Sequence, residues 1–100
     1  MPHLIITRPA RAGMKRCQEY LRKRATPRTV ERAKTVIIAA LERLSEEPSH
    51  GRPYLPNPTL RELLIPFGKG AYLALYRHEA EADVVRILAF RHGREAQYRP

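Results

Sequence analysis

The sequence predicts an α+β fold with the element order β-α-α-β-β-β, in which a helical hairpin packs on one face of a small antiparallel sheet. Two patterns support this fold. Apolar residues recur with a helical period through the first half of the chain, and apolar runs separated by short polar turns fill the last third. The chain has 100 residues, of which 43% are hydrophobic. This supply suffices for one core, so we expect residues 1–100 to form a single domain.

The first half of the chain predicts one strand and two helices. Residues 4–7 are apolar and largely β-branched, and Arg8 and Pro9 end this run. Two helical stripes follow, the first made of Ala10, Met14, Cys17 and Leu21, the second of Val30, Ala33, Ile37, Leu41 and Leu44. Thr26 suits the N-cap of the second helix and Pro27 its first turn. The short break between the stripes predicts an antiparallel pair of helices.

Three strands are predicted in the last third, after a proline-rich loop. The loop spans residues 48–58, and the strands span residues 60–67, 71–78 and 84–91. Alternation along the middle strand places Leu73, Leu75 and Arg77 opposite Tyr72, Ala74, Tyr76 and His78. Along the last strand it places Val85, Ile87, Ala89 and Arg91 opposite Val84, Arg86, Leu88, Phe90 and His92. Neither face is fully polar, so the face away from the helices is expected to meet the chain's own loop or a partner.

Positive charge concentrates around the first helix. The chain carries 19 Lys and Arg against 10 Asp and Glu, a formal net charge of +9. Between residues 8 and 28, eight cations accompany one acidic residue, Glu19. Such a surface attracts nucleic acid or an acidic protein. A basic helix face that only keeps the protein in solution is the alternative.

Several classes of protein are excluded by the sequence. The longest apolar run, residues 36–41, is far shorter than the about 20 residues of a membrane-spanning helix. The start of the chain lacks a signal-peptide pattern, and Cys17 is the one cysteine, so we expect a cytoplasmic protein without disulfides. His3, His50 and His78 lack the spacing of metal ligands, so neither a metal nor a cofactor is expected.

The densest group of chemically able side chains lies on the predicted strands and the C-terminal tail. Its members are Arg61, Arg77, Arg91, His92, Arg94 and Tyr98. RNA cleavage needs a base, an acid and cations around one phosphate, and His, Tyr and Arg can supply these without a metal. The alternative is a basic tail that packs over the sheet edge, with Tyr98 as an apolar lid.

The last third of the chain resembles the RelE/ParE superfamily, the toxic halves of bacterial type II toxin–antitoxin modules. The resemblance rests on LREL at 60–63, FGKG at 67–70, YLALY at 72–76, VRILAFRH at 85–92 and REAQY at 94–98. The predicted order of elements extends it over nearly the whole chain. It implies a hetero-oligomer with an acidic antitoxin whose C-terminal segment wraps the toxin, and we expect Arg11, Lys15 and Arg22 to contact that segment.

The superfamily divides by target. RelE-like members cleave mRNA in the ribosomal A site without a metal, whereas ParE-like members inhibit DNA gyrase by protein contact. RHGREAQY at 91–98 is more similar to the ParE, or plasmid-stabilisation, branch, and the lysine-rich catalytic segment of some RelE members is absent. We therefore predict growth inhibition through gyrase. Cleavage of mRNA by the six residues above is the alternative, and a non-toxic basic nucleic-acid-binding module is a third possibility.

Overall fold

Two helices cover one face of a five-stranded sheet in the computed structural model, which describes residues 2–99. Along the chain the elements are β1 His3–Ile6, α1 Arg8–Arg22, α2 Pro27–Glu46, β2 Arg52–Pro53, β3 Arg61–Phe67, β4 Gly70–Glu79 and β5 Val84–His92. The α+β class and the packing of the helices on the sheet confirm the prediction.

The sheet is mixed, with the strand order β1-β5-β4-β3-β2. β3, β4 and β5 form antiparallel pairs, as the short turns between them predict. β1 departs from the predicted antiparallel sheet, because it pairs parallel to β5. Both helices separate β1 from the later strands, so no short turn dictates its direction.

The apolar stripes of both helices are buried against the sheet. In α2 the buried residues are those of the predicted stripe, Val30, Ala33, Ile37, Leu41 and Leu44. Thr26 caps this helix, since its hydroxyl accepts a hydrogen bond of 3.2 Å from the backbone N–H of Thr29. Cys17 of α1 is buried in the same core, as its place in the first stripe predicts.

α1 lies very close to β5 at Gly13. A Cβ atom at this position would overlap the carbonyl oxygen of Phe90, so the close approach requires glycine. Ala10 and Cys17, about one turn away on either side, are buried together with Gly13. This contact determines which side of α1 faces the sheet, and it leaves the cations of the other side exposed.

A β-bulge changes which side chains of β5 face the helices. Leu75 pairs with Ala89, but the next residue, Tyr76, pairs with Ile87, so Leu88 is an extra residue in β5. The prediction from strict alternation is therefore wrong beyond Ile87. The residues of β5 on the helix side of the sheet are Val85, Ile87, Phe90 and His92. Strict alternation cannot anticipate an inserted residue.

The proline-rich loop contains β2, a two-residue edge strand that sequence reasoning missed. Tyr76 is fully buried and holds the loop in place, because its hydroxyl donates to the Pro48 carbonyl at 2.7 Å and accepts from the Gly51 N–H at 2.8 Å. The Arg61 guanidinium donates to the Gly51 carbonyl at 2.7 Å. Proline weakens the strand signal of the sequence, and these long-range bonds supply what local propensity does not.

The packing of α2 on the sheet yields a stability test. Leu41 is 1% exposed, whereas Ile38 on the same helix is 45% exposed. We expect Leu41→Ala to lower the free energy of unfolding by about 2–5 kcal/mol, because it leaves a cavity in the core. Ile38→Ala is the matched control and should cost less than about 1 kcal/mol. Urea denaturation measures both. Equal losses would contradict the burial of this stripe.

Candidate functional site

The six candidate nuclease residues lie on two opposite faces of the sheet. Arg91 pairs with Leu73, on the face away from the helices, which we call the outer face. The next residue, His92, pairs with Tyr72 and lies on the helix side, where its ring meets that of Tyr72 edge-on at 5.2 Å between centroids. Consecutive strand residues point to opposite faces, so these two side chains are separated by the sheet itself.

On the outer face, Tyr98 of the C-terminal tail is bound to Glu62 of β3. The Tyr98 hydroxyl donates to Glu62 Oε2 at 2.6 Å, and Arg52 donates to Glu62 Oε1 at 2.8 Å. Glu62 is the buried charged residue of the described chain, with 6% of its surface exposed. The guanidinium carbon of Arg91 lies 4.9 Å from the centre of the Tyr98 ring, and Tyr54 contacts the same ring edge-on.

The tail crosses the sheet to make these contacts. Arg91 belongs to β5 and Glu62 to β3, and β4 lies between them. Because Tyr98 contacts both, its ring spans β4 near Leu73 and Leu75, the partners of Arg91 and Glu62 in the two ladders. Leu73 is 5% exposed, although it lies on a face that no helix covers. The chain's C-terminal tail therefore covers part of the outer face, where the sequence predicts the chain's own loop or a partner.

The Tyr98–Glu62 contact shifts the pKa values of both groups. Burial raises the pKa of Glu62, but hydrogen bonds from Tyr98 and Arg52 outweigh burial, and the net pKa lies below its ordinary value. Burial and the bond to the Glu62 carboxylate raise the pKa of Tyr98 far above its ordinary range. Tyr98 is therefore a neutral phenol, and its O–H hydrogen is engaged in the hydrogen bond to Glu62.

Arg61 and Arg77 do not join either group of tail residues. Arg61 is committed to the loop carbonyls of Ser49 and Gly51. Arg77 donates to Glu79 at 2.9 Å, and Arg86 donates to the same carboxylate at 2.7 Å. The predicted convergence of six residues on one phosphate is therefore not present in this arrangement.

On the helix side, His92 and Arg94 line a groove of about 760 Å³. Its apolar lining includes Cys17, Leu21, Phe67 and Tyr72, and its charged lining comprises Arg16, Lys69, Arg94, Arg99 and Glu95. His92 Nδ1 accepts a hydrogen bond of 3.0 Å from the Arg94 backbone N–H. Burial and the charge of Arg94 lower the pKa of His92, although Glu95 opposes them. The imidazole is thus favoured in its neutral form.

Glu95 ties the tail to α1. Its carboxylate forms a salt bridge of 2.8 Å with Arg16 and accepts the His92 backbone N–H at 2.9 Å. Burial and the nearby Glu95 carboxylate raise the pKa of Cys17 to about 11, so this thiol is protonated at neutral pH.

Sequence reasoning missed Glu95 and Glu62 as organising residues. The available signal for Glu62 was a lone carboxylate inside an otherwise apolar strand.

The three predicted antitoxin-binding residues, Arg11, Lys15 and Arg22, lie on one exposed face of α1 together with Arg8. We call these four side chains the α1 stripe. Arg11 also donates to the Ile6 carbonyl at 3.1 Å. Across residues 2–99, no carboxylate oxygen lies within 4 Å of the charged groups of the α1 stripe.

Two other kinds of site are absent from the described part of the chain. Within residues 2–99, no group of three or more His, Cys, Asp and Glu side chains is placed to hold a metal ion. In the same range neither helix combines the length and the apolar character needed to cross a membrane.

Two helices packed on a mixed five-stranded sheet form an arrangement consistent with RelE/ParE-type toxins. A family model described as "ParE toxin of type II toxin-antitoxin system, parDE" matches residues 4–97. The chain belongs to this family of toxins, which confirms the resemblance seen in the sequence.

A curated relative shares part of this similarity. "Toxin RelE1" of Caulobacter vibrioides (strain ATCC 19089 / CIP 103742 / CB 15) is 47% identical over 51 residues. The match covers 51% of this chain and 53% of that protein. The chain thus spans about half the length of the curated relative it matches.

The Glu62 contact predicts a specific pH dependence of stability. The pKa of Glu62 is lowered in the folded state, so its stabilisation is complete above the unfolded value near 4.5 and is lost as pH falls through the folded value. We expect Glu62→Gln to lower the free energy of unfolding by roughly 1 kcal/mol at neutral pH, a difference that shrinks in acid. Urea denaturation across pH measures it. The exposed Glu81→Gln is the control, and a pH-independent difference for Glu62→Gln would contradict the prediction.

Proposed function

We propose that this protein is a cytoplasmic toxin that inhibits DNA gyrase by protein contact and is neutralised by an acidic antitoxin. One observation carries the choice of gyrase over mRNA. The two candidate proton-transfer groups, His92 and Tyr98, lie on opposite faces of the sheet, and Tyr98 is bound to Glu62. A general acid and a general base must reach the same phosphate to cleave RNA.

The charges of the outer face also favour binding over cleavage. The buried Glu62 carboxylate repels a phosphate, and Tyr98 cannot accept a proton while its own proton is shared with Glu62. Arg91 lies against the Tyr98 ring and donates to the Glu95 carbonyl. Arg77 is paired with Glu79. These contacts leave little free positive charge to stabilise a phosphorane at this face.

The helix-side groove supports the alternative, a metal-independent endoribonuclease of the RelE type. It brings the neutral His92 together with Arg16, Lys69, Arg94 and Arg99, so a base and several cations line one groove. The name of the Caulobacter relative also belongs to that branch. If His92 were the base there, the reaction would need no contribution from Tyr98.

Toxin assays separate the two functions. We expect wild-type protein to stabilise gyrase-linked DNA breaks and to leave ribosome-bound mRNA intact. His92→Gln and Tyr98→Phe should remain largely toxic, because a binding surface tolerates the loss of one proton-transfer group. Under the nuclease alternative, loss of the general base would reduce cleavage by about 10²–10⁴-fold.

Plasmid-DNA cleavage with purified gyrase and primer extension on ribosome-bound mRNA are the two measurements. Metal-free mRNA cleavage that His92→Gln abolishes would replace gyrase inhibition by nuclease activity. If wild-type protein has neither activity, the third possibility, a non-toxic basic nucleic-acid-binding module, takes their place.

The antitoxin is proposed to lie over the α1 stripe, with its carboxylates opposite Arg11, Lys15 and Arg22. These cations are exposed and have no carboxylate partner within residues 2–99, which leaves them available to an acidic segment. Charges at the rim of an interface act mainly on the association rate.

Reversal of two stripe charges should therefore slow antitoxin binding. We expect Arg11→Glu/Arg22→Glu to lower the association rate constant on the order of tenfold at low salt and to flatten its salt dependence. Stopped-flow kinetics with the antitoxin of the adjacent gene measures both effects. Arg28→Glu/Lys34→Glu makes the same charge change on exposed positions of α2 and should have the smaller effect. An unchanged rate constant for the stripe variant would remove α1 from the interface.

A further inference from the structure

We propose that the α1 stripe of the free toxin binds the phosphate backbone of duplex DNA. The role of this contact rests on the proposed function, because gyrase holds the duplex on which the toxin would act. The binding itself is a property of the four side chains Arg8, Arg11, Lys15 and Arg22.

The geometry of the α1 stripe suits a long, regular polyanion. At 100° and 1.5 Å per residue, the four side chains fall within about 60° of arc and extend over about 21 Å of helix, with the exposed Glu19 at the edge of this arc between Lys15 and Arg22. That length matches roughly six base pairs of duplex. Gly13 is pressed against the backbone of β5, and Ala10 and Cys17 are buried beside it. The stripe is therefore carried by a helix that is fixed to the sheet.

In the described part of the chain, the cations of the α1 stripe lack the carboxylate partners that hold several arginines near the sheet. Arg16 is paired with Glu95, Arg52 with Glu62, and Arg77 with Glu79. Within residues 2–99 the α1 stripe has no such carboxylate within 4 Å. The first turn of α1 contains no acidic residue, and cations there oppose the helix dipole. This arrangement costs stability, so it is better explained by an anionic ligand than by the fold.

The composition of the stripe distinguishes duplex from single-stranded nucleic acid. Single strands are bound through aromatic rings on which their bases stack. The aromatic residue of α1, Tyr20, is covered by Arg24 at 3.8 Å and contacted by Arg94 at 5.1 Å from its ring centre. The stripe itself offers cations without an aromatic platform, which suits contacts to backbone phosphates without reading of bases.

The same surface is proposed to receive the acidic antitoxin, so the two ligands would compete. An antitoxin segment lying over Arg11, Lys15 and Arg22 would occupy the cations that contact phosphate. Neutralisation would then include displacement of the toxin from DNA, in addition to any contact that blocks gyrase.

The test measures binding of the free full-length toxin to a fluorescein-labelled duplex of about 20 base pairs by fluorescence anisotropy, between about 50 and 200 mM salt. Each phosphate contact adds about 0.9 to the slope of log affinity against log salt concentration. We expect Lys15→Gln/Arg22→Gln to reduce that slope by about 2 and the affinity at the lowest salt by on the order of tenfold. Arg28→Gln/Lys34→Gln on α2 removes the same charge and should change the slope by less than half as much. Thermal denaturation confirms that both variants fold.

Three results would overturn the proposal. They are equal losses of affinity and salt slope in the stripe and control variants, no binding of wild-type protein to duplex at the lowest salt, and tighter binding to an RNA hairpin or a single strand of the same length.

The gyrase assay fails or succeeds separately. Stripe-dependent DNA binding without gyrase-linked breaks would overturn the proposed function alone, whereas gyrase-linked breaks with unchanged DNA binding of the stripe variant would overturn this inference alone.

Discussion

The contact between Gly13 and the Phe90 carbonyl is the constraint on which the rest of the structure depends. It brings the backbone of α1 closer to β5 than a residue with a Cβ atom at position 13 would allow. Just before the helix, the Thr7 hydroxyl donates to the Ile87 carbonyl at 2.7 Å, so α1 is anchored to β5 at two places. The orientation of α1 follows from these contacts, and with it the separation of its buried face from its basic face.

Two features of β5 then divide the C-terminal residues between the faces of the sheet. The bulge at Leu88 places Phe90 and His92 with the core, and Arg91 on the outer face. After the strand, Glu95 returns to Arg16 on α1, while Tyr98 reaches Glu62 across β4. Residues that are close in sequence therefore have different surroundings, and a combined role in catalysis requires more than their proximity along the chain.

The distribution of ion pairs separates cations that support the fold from cations available to a ligand. Glu95, Glu62 and Glu79 each hold at least one arginine in place around the sheet. Partly exposed pairs of this kind contribute little to stability by themselves, but they consume charge that a ligand would otherwise use. Within residues 2–99 the cations of the α1 stripe have no such pair, which is why both the antitoxin and DNA are proposed to act there.

The sequence by itself determined the helices, the three C-terminal strands and the membership in a toxin superfamily, because helical periodicity, turn residues and short motifs are local properties. The stripe from Val30 to Leu44 is buried as its spacing predicts. Only the tertiary structure decided the parallel pairing of β1, the edge strand β2 and the Tyr98–Glu62 contact. The β1 pairing and the Tyr98–Glu62 contact join segments far apart in the chain, whereas β2 pairs with β3 across the proline-rich loop. The bulge at Leu88 reverses a face assignment that strict alternation alone would have made. Non-local pairing and inserted residues leave no periodic signal, so the placement of the candidate residues depended on the folded chain.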